Sequence, residues 1–198
     1  MSDQVNGESP LVRFDVAGRA ANKQPAGKVQ ARERPFLGYL NLRGDAANVR
    51  FSTAVKTIAG ADLPIVPNAT ARGTDNGIYW LGPDEWLIVT PEGRQLALAQ
   101  ELHSALPEVF FAVTDISSGL TSVVLSGSSV CELLSKDCPL DFDIRLFPPE
   151  KCGQSRLAKA PILVRRIDGD SFEIVIRRSF AEYFWRWVED ASAEYDLP

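Results

Sequence analysis

From Pro35 onward the chain spells one succession of elements twice, and this repetition limits the available folds more than any single motif. In the first pass a strand at 37–42 closes at Gly44-Asp45. A helix follows at about 46–59, with Ala47, Phe51, Ala54, Val55 and Ile58 along one face. A loop through Pro64 and Pro67 leads to a hairpin, 78–81 and 86–89, around Gly82-Pro83-Asp84-Glu85; proline there supplies the φ of a type I or II turn. Thr90 reads as an N-cap, with Pro91 at the first position of a helix reaching about Ala105.

The second pass keeps the order. A connecting strand at 109–116 leads to a strand at 121–125, closed by Gly127-Ser128. A short helix opens behind Ser129, with Glu132 three residues on as a capping box. A loop through Pro139, Pro148 and Pro149 follows, then a hairpin, 162–167 and 172–176, turned at Asp168-Gly169-Asp170. Ser179 with Glu182 forms a second capping box before the last helix. The expectation is an α+β fold of two pseudo-repeated βαββα-type units, with mostly antiparallel sheets and helices on one face. Neither half is large enough to build a strong core alone, so residues 35–198 form a single body with pseudo-repeats at about 35–107 and 108–198.

Residues 1–34 read as an extended arm, polar except for an apolar island at Leu11, Val12 and Phe14. Such an island gains by leaving water, either against a partner chain or not at all if the terminus is free. A balance of 21 Lys+Arg against 26 Asp+Glu gives a net charge of −5, which argues against general affinity for nucleic acid. No apolar run approaches the roughly 20 residues that cross a bilayer, and the start of the chain lacks a basic, then apolar, secretory leader. Cys131, Cys138 and Cys152 are odd in number and follow no zinc spacing, so they are expected as thiols of a cytoplasmic protein.

Candidate chemistry is sparse. His103, the single histidine, has no motif to orient it. Ser126-Gly127-Ser128-Ser129 follows a strand and precedes a helix, a phosphate-binding geometry, but lacks the P-loop lysine; a plain strand-to-helix turn suffices. Asp115-Ile116-Ser117-Ser118-Gly119 is not Gly-x-Ser-x-Gly and precedes a strand, which leaves a serine esterase unsupported. Asp84 and Glu85 occupy a hairpin tip, where carboxylates face water. Arg165 and Arg177 could neighbour each other across the second hairpin and meet an anion or an acidic partner; internal salt bridges are the alternative. In the last helix Phe180, Phe184, Trp187, Val188 and Ala191 form the core stripe. Trp185 lies roughly 120° from its centre, by the 3.6-residue repeat. It is either covered by a loop or part of an interface.

Four segments together resemble the sarcosine oxidase gamma-subunit family: Ser9-Pro10-Leu11, Tyr79-Trp80-Leu81-Gly82-Pro83-Asp84-Glu85-Trp86-Leu87, Asp115-Ile116-Ser117-Ser118-Gly119, and Arg178-Ser179-Phe180-Ala181-Glu182-Tyr183-Phe184-Trp185-Arg186-Trp187. The resemblance spans nearly the whole chain. It implies part of the folate-binding fold of the glycine-cleavage T-protein and aminomethyltransferases. It implies alpha, beta and delta partner subunits that carry FAD, FMN, NAD, tetrahydrofolate and zinc. The complex would convert sarcosine to glycine, with hydrogen peroxide formed and the methyl carbon passed to tetrahydrofolate. No catalytic, cofactor-binding or metal residue carries over to a numbered position here, which leaves Leu11, Val12, Phe14, Arg165, Arg177 and Trp185 as the candidate partner interface. A free-standing folate-binding or aminomethyltransferase-like protein, and the equivalent subunit of an N-methyl amino acid dehydrogenase, are the alternatives.

Overall fold

The computed structural model describes residues 7–14 and 28–195. Among the described residues ten strands form two antiparallel five-stranded sheets. In chain order they are β1 (Gln30–Arg34), β2 (Gly38–Gly44), β3 (Thr70–Arg72), β4 (Gly77–Gly82), β5 (Glu85–Thr90), β6 (Phe111–Asp115), β7 (Leu120–Ser126), β8 (Cys152–Leu157), β9 (Ala160–Asp168) and β10 (Ser171–Arg177). The helices are α1 (Val49–Ala59), α2 (Arg94–Ala105), α3 (Val130–Ser135) and α4 (Ala181–Ala191).

One sheet has the order β3-β4-β5-β2-β6, the other β8-β9-β10-β7-β1. Each pass through the repeat is therefore β-α-β-β-β-α, with the outer strands exchanged. The segment leading into β2, namely β1, pairs with β7 of the second unit, while β6, leading into β7, pairs with β2 of the first. The expected units lacked β3 and β8, which lie inside the proline loops. These short edge strands begin where the loops meet, with Thr70 N donating to Glu150 O and Cys152 N donating to Asn68 O, both at 2.8 Å. The arm also differs from expectation. Its last five residues are β1, and Leu11 is buried, so the body takes in part of what was read as 1–34. The polar residues Gln30 to Arg34 hide this strand because an edge strand has little apolar surface to show.

Helices α1 and α2 cover the outer face of the first sheet through Phe51, Val55, Leu98 and Leu102. Helices α3 and α4 cover the second through Val130, Leu133, Phe184 and Val188. The inner faces meet in a third core of Tyr39, Tyr79, Leu87, Val89, Cys152, Leu163 and Val175. Central strands are thus buried on both sides, which explains why they read as continuous apolar runs such as Trp86-Leu87-Ile88-Val89.

Helix ends depart from the expected caps. Asn48 caps α1 by accepting from Arg50 N and Phe51 N. Thr90 stays in β5 and Gly93, at φ 78°, precedes α2. Neither Ser129 nor Ser179 caps with its side chain; Phe180 is the residue before α4, after a 3-10 turn at Arg178–Phe180. Glu182 pairs with Arg186 and Arg13 instead of folding back.

Candidate functional site

The layer between the sheets holds a carboxylate with no exposure to solvent. Glu173 of β10 sits opposite Arg165 of β9 in an antiparallel register, and both face inward. Its Oε2 accepts from Arg165 Nη2 at 2.9 Å and Nε at 3.2 Å, and from the Tyr79 hydroxyl at 2.9 Å. Its Oε1 accepts from Arg34 Nη1 at 2.6 Å and Ser122 Oγ at 3.0 Å. Donors from β1, β4, β7 and β9 therefore converge on one residue of β10, and Tyr79 comes from the opposite sheet. Burial works against the ionised form of Glu173, but Arg165 and Arg34 outweigh it and hold the carboxyl below its ordinary range. The same negative charge, after burial itself, pushes the phenols of Tyr39 and Tyr79 well above theirs. The arrangement stabilises an anion and leaves it no free lone pair with which to take a proton. It joins the sheets.

A second polar group sits at the β1 edge. Glu33 accepts from Thr121 Oγ1 at 2.9 Å and from Ser9 Oγ, while Leu11 N donates to Ser9 Oγ at 3.0 Å. This anchors the segment around a 3-10 turn at Val12–Phe14. Leu11 enters the second unit's core, and the Phe14 ring lies 6.4 Å from that of Trp185. Arg13 pairs with Glu182.

The nominated interface residues therefore separate. Leu11, Arg165 and Trp185 are 0%, 4% and 1% exposed, so all three belong to the interior of this chain rather than to a free face. The buried stripe of α4 is Ala181, Phe184, Trp185 and Val188, so Trp185 lies on it and not off it, while Phe180, Trp187 and Ala191 of the expected stripe are only half-buried. The N-terminal segment, through Phe14, packs against Trp185. Arg165 and Arg177 are not neighbours: the register puts Arg165 beside Glu173 and Arg177 beside Leu120. Val12 and Arg177 are exposed and Phe14 is half-buried.

The remaining candidates have local roles. His103 is exposed, with its ring 5.1 Å from Phe111. Glu85 accepts from Asn41 and Arg43. Ser117 donates to Asp115 Oδ1 and accepts from Tyr39 N at 2.8 Å, which closes the turn between β6 and β7. Gly127, at φ 119°, turns β7 into α3 and packs against the Lys28 carbonyl. Among the described residues no group of three or more His, Cys, Asp or Glu could hold a metal ion.

Sequence reading missed Glu173 as a centre. A signal was present: a lone acid in Phe172-Glu173-Ile174-Val175-Ile176, paired by the hairpin with Arg165 in an equally apolar strand.

Residues 43–194 match the family described as sarcosine oxidase, gamma subunit family. The chain is 33% identical over 181 residues to a sarcosine oxidase subunit gamma from Corynebacterium sp. (strain P-1), covering 91% of this chain and 88% of that one. It is also 33% identical over 186 residues to the subunit gamma of an Arthrobacter sp., covering 92% and 89%. Among solved structures, a chain of the heterotetrameric sarcosine oxidase from Corynebacterium sp. U-96 superposes with a TM-score of 0.85 at 30% identity, covering 97% of both chains. The glycine cleavage system aminomethyltransferase T from Bartonella henselae gives a TM-score of 0.61 at 13% identity over 88% of this chain and 48% of that one, a likeness of fold alone.

Proposed function

This chain belongs to the sarcosine oxidase gamma subunit family, and we propose that it acts as a non-catalytic subunit of a heterotetrameric sarcosine oxidase. Its partners are the alpha, beta and delta subunits, which carry FAD, FMN, NAD, tetrahydrofolate and zinc. The assembled enzyme oxidatively demethylates sarcosine to glycine, forms hydrogen peroxide, and passes the methyl carbon to tetrahydrofolate as the 5,10-methylene derivative.

One observation carries the reading of this subunit as a scaffold. Glu173, the most deeply buried carboxylate between the two sheets, takes donors from four residues on four other strands. Catalytic acids and bases need a pKa near the working pH and a free approach to substrate. Glu173 is held ionised by two arginines and surrounded by its own chain, which suits a structural tie. The three free cysteines fit a cytoplasmic location, where thiols stay reduced. Among the described residues no helix is long and apolar enough to cross a membrane.

The test is to tag this chain, co-express it with its chromosomal neighbours, and assay the eluate. Flavin-bearing partners in fixed ratio, with sarcosine-dependent peroxide production, support the proposal. A lone monomer that binds tetrahydrofolate would overturn it and favour a free-standing folate-binding protein.

A further inference from the structure

The two sheets have four outer strands, and three of them are guarded. Edge strands expose unpaired backbone groups, which proteins protect with charge or proline. Strand β1 carries Arg32 and Arg34 and is followed by Pro35; β3 carries Arg72; β8 carries Arg156. Strand β6 reads Phe-Ala-Val-Thr-Asp, with no basic residue and its one charge at the last position, so its centre carries no guard. Its pseudo-symmetric counterpart is β1, so the same place in the fold is protected in one unit and open in the other.

The register states which groups are free. Ile116 N donates to Tyr39 O, and Thr114 and Ala112 lie opposite Asn41 and Arg43. By antiparallel alternation these residues turn their backbone groups toward β2, and Phe111, Val113 and Asp115 turn theirs outward. Among the described residues no strand pairs with that outer edge. Just before it stands Phe110, 98% exposed. Ala112 and Thr114 are also exposed, so nothing on that side hinders an approaching chain.

We infer that the outer edge of β6 receives an extended segment from another subunit of the oxidase, which adds a sixth strand to the first sheet. The inference rests on the subunit reading above. Charge selects the occupant. Glu108 and Asp115, both exposed, bracket the edge at its two ends, while its centre is apolar or small. A complementary strand is therefore apolar in the middle, to meet Phe110, and basic at its flanks. A second copy of this chain is a poor match: two-fold antiparallel pairing would set the Glu108 end of one copy beside the Asp115 end of the other. A five-residue strand alone also offers much less than the roughly 1,000 Å² expected of a stable dimer interface.

The experiment measures hydrogen exchange at single amides in the free chain and in the co-purified complex. The inference expects Phe111, Val113 and Asp115 to slow by about tenfold or more on assembly, with Ala112 and Thr114 already slow in both samples. Two variants accompany it. Ala112→Lys/Thr114→Lys copies the guard of β1, and Val113→Pro removes one outward N–H while keeping the β2 pairing, as edge strands tolerate. Each should weaken recovery of the complex about tenfold, with the far-ultraviolet spectrum of the free chain unchanged. If the complex assembles and the three outward amides exchange as fast as in the free chain, the β6 inference is wrong and the subunit reading stands. Slowing in the free chain that grows with concentration also overturns it, in favour of self-pairing. Failure of any partner to co-purify removes both.

Discussion

Replacing Glu173 by glutamine removes one negative charge from beneath Arg165, whose side chain is 4% exposed, and leaves a buried cation facing a neutral amide. Breaking a buried pair in this way costs about 3–5 kcal/mol, because the remaining charge cannot return to water. Arg34 is different. Its side chain is 36% exposed and can turn outward, so Arg34→Ala should cost about 1 kcal/mol. In a chain of this size each kcal/mol lowers Tm by about 2–4 °C, so Glu173→Gln should melt roughly 10 °C lower. Urea unfolding followed by circular dichroism measures both variants and the cycle with Arg165→Met. Since Arg165 and Glu173 share a pair of hydrogen bonds, the double variant should lose at least about 1 kcal/mol less than the sum of the singles. A loss below about 1 kcal/mol for Glu173→Gln, or strict additivity with Arg165→Met, would refute the idea that this carboxylate ties the sheets together.

Acid should act through the same residue. Its folded pKa is lowered, so its contribution is complete above the unfolded value of about 4.3 and is lost as pH falls below that. Glu173→Gln should flatten this part of the stability profile between pH 5 and 3, and an unchanged slope would count against the assignment. Burial pushes the Cys152 thiol up to about 12, so it should resist alkylation at pH 8 in the native chain and react once urea unfolds it. Leu11→Ala should cost about 2–4 kcal/mol, because Leu11 is fully buried against the second unit's core; a loss under 0.5 kcal/mol would mean that the segment is not docked in solution. Gly127→Ala should cost about 2–3 kcal/mol, since φ is 119° and a Cβ would stand 2.4 Å from the Lys28 carbonyl, a backbone atom with no rotamer to change. Equilibrium unfolding reads both.

Much of this fold was legible because turns and apolar strands carry strong local signals. The hairpin at Pro83 and the one at Gly169 lie where their sequences place them, and the repeated order became two matching sheets. What stayed hidden has two causes. Strands β3 and β8 pair with the strands that follow them, β4 and β9, across short turns, but Thr-Ala-Arg and Cys-Gly-Gln-Ser-Arg-Leu lack the alternating apolar pattern that marks a strand. The exchange of β1 and β6 depends on long-range pairing, which no local pattern encodes. Trp185 was expected off the core stripe, but the buried face of α4 is rotated to take it in, because the segment that covers it comes from some 170 positions earlier. The caps failed for a local reason: Ser129 and Ser179 have the right spacing to a glutamate, yet Ser129 precedes its helix without a side-chain cap bond and Ser179 falls within the 3-10 turn that makes Phe180 the residue before α4.

The most direct measurement of the central claim is the native mass of the flavin-bearing complex purified through a tag on one of its other subunits. The account predicts one copy of this 21.7-kDa chain per complex, and no intact complex from cells that lack the chain. A fully active, sarcosine-oxidising complex of unchanged mass from cells that lack this chain would contradict it.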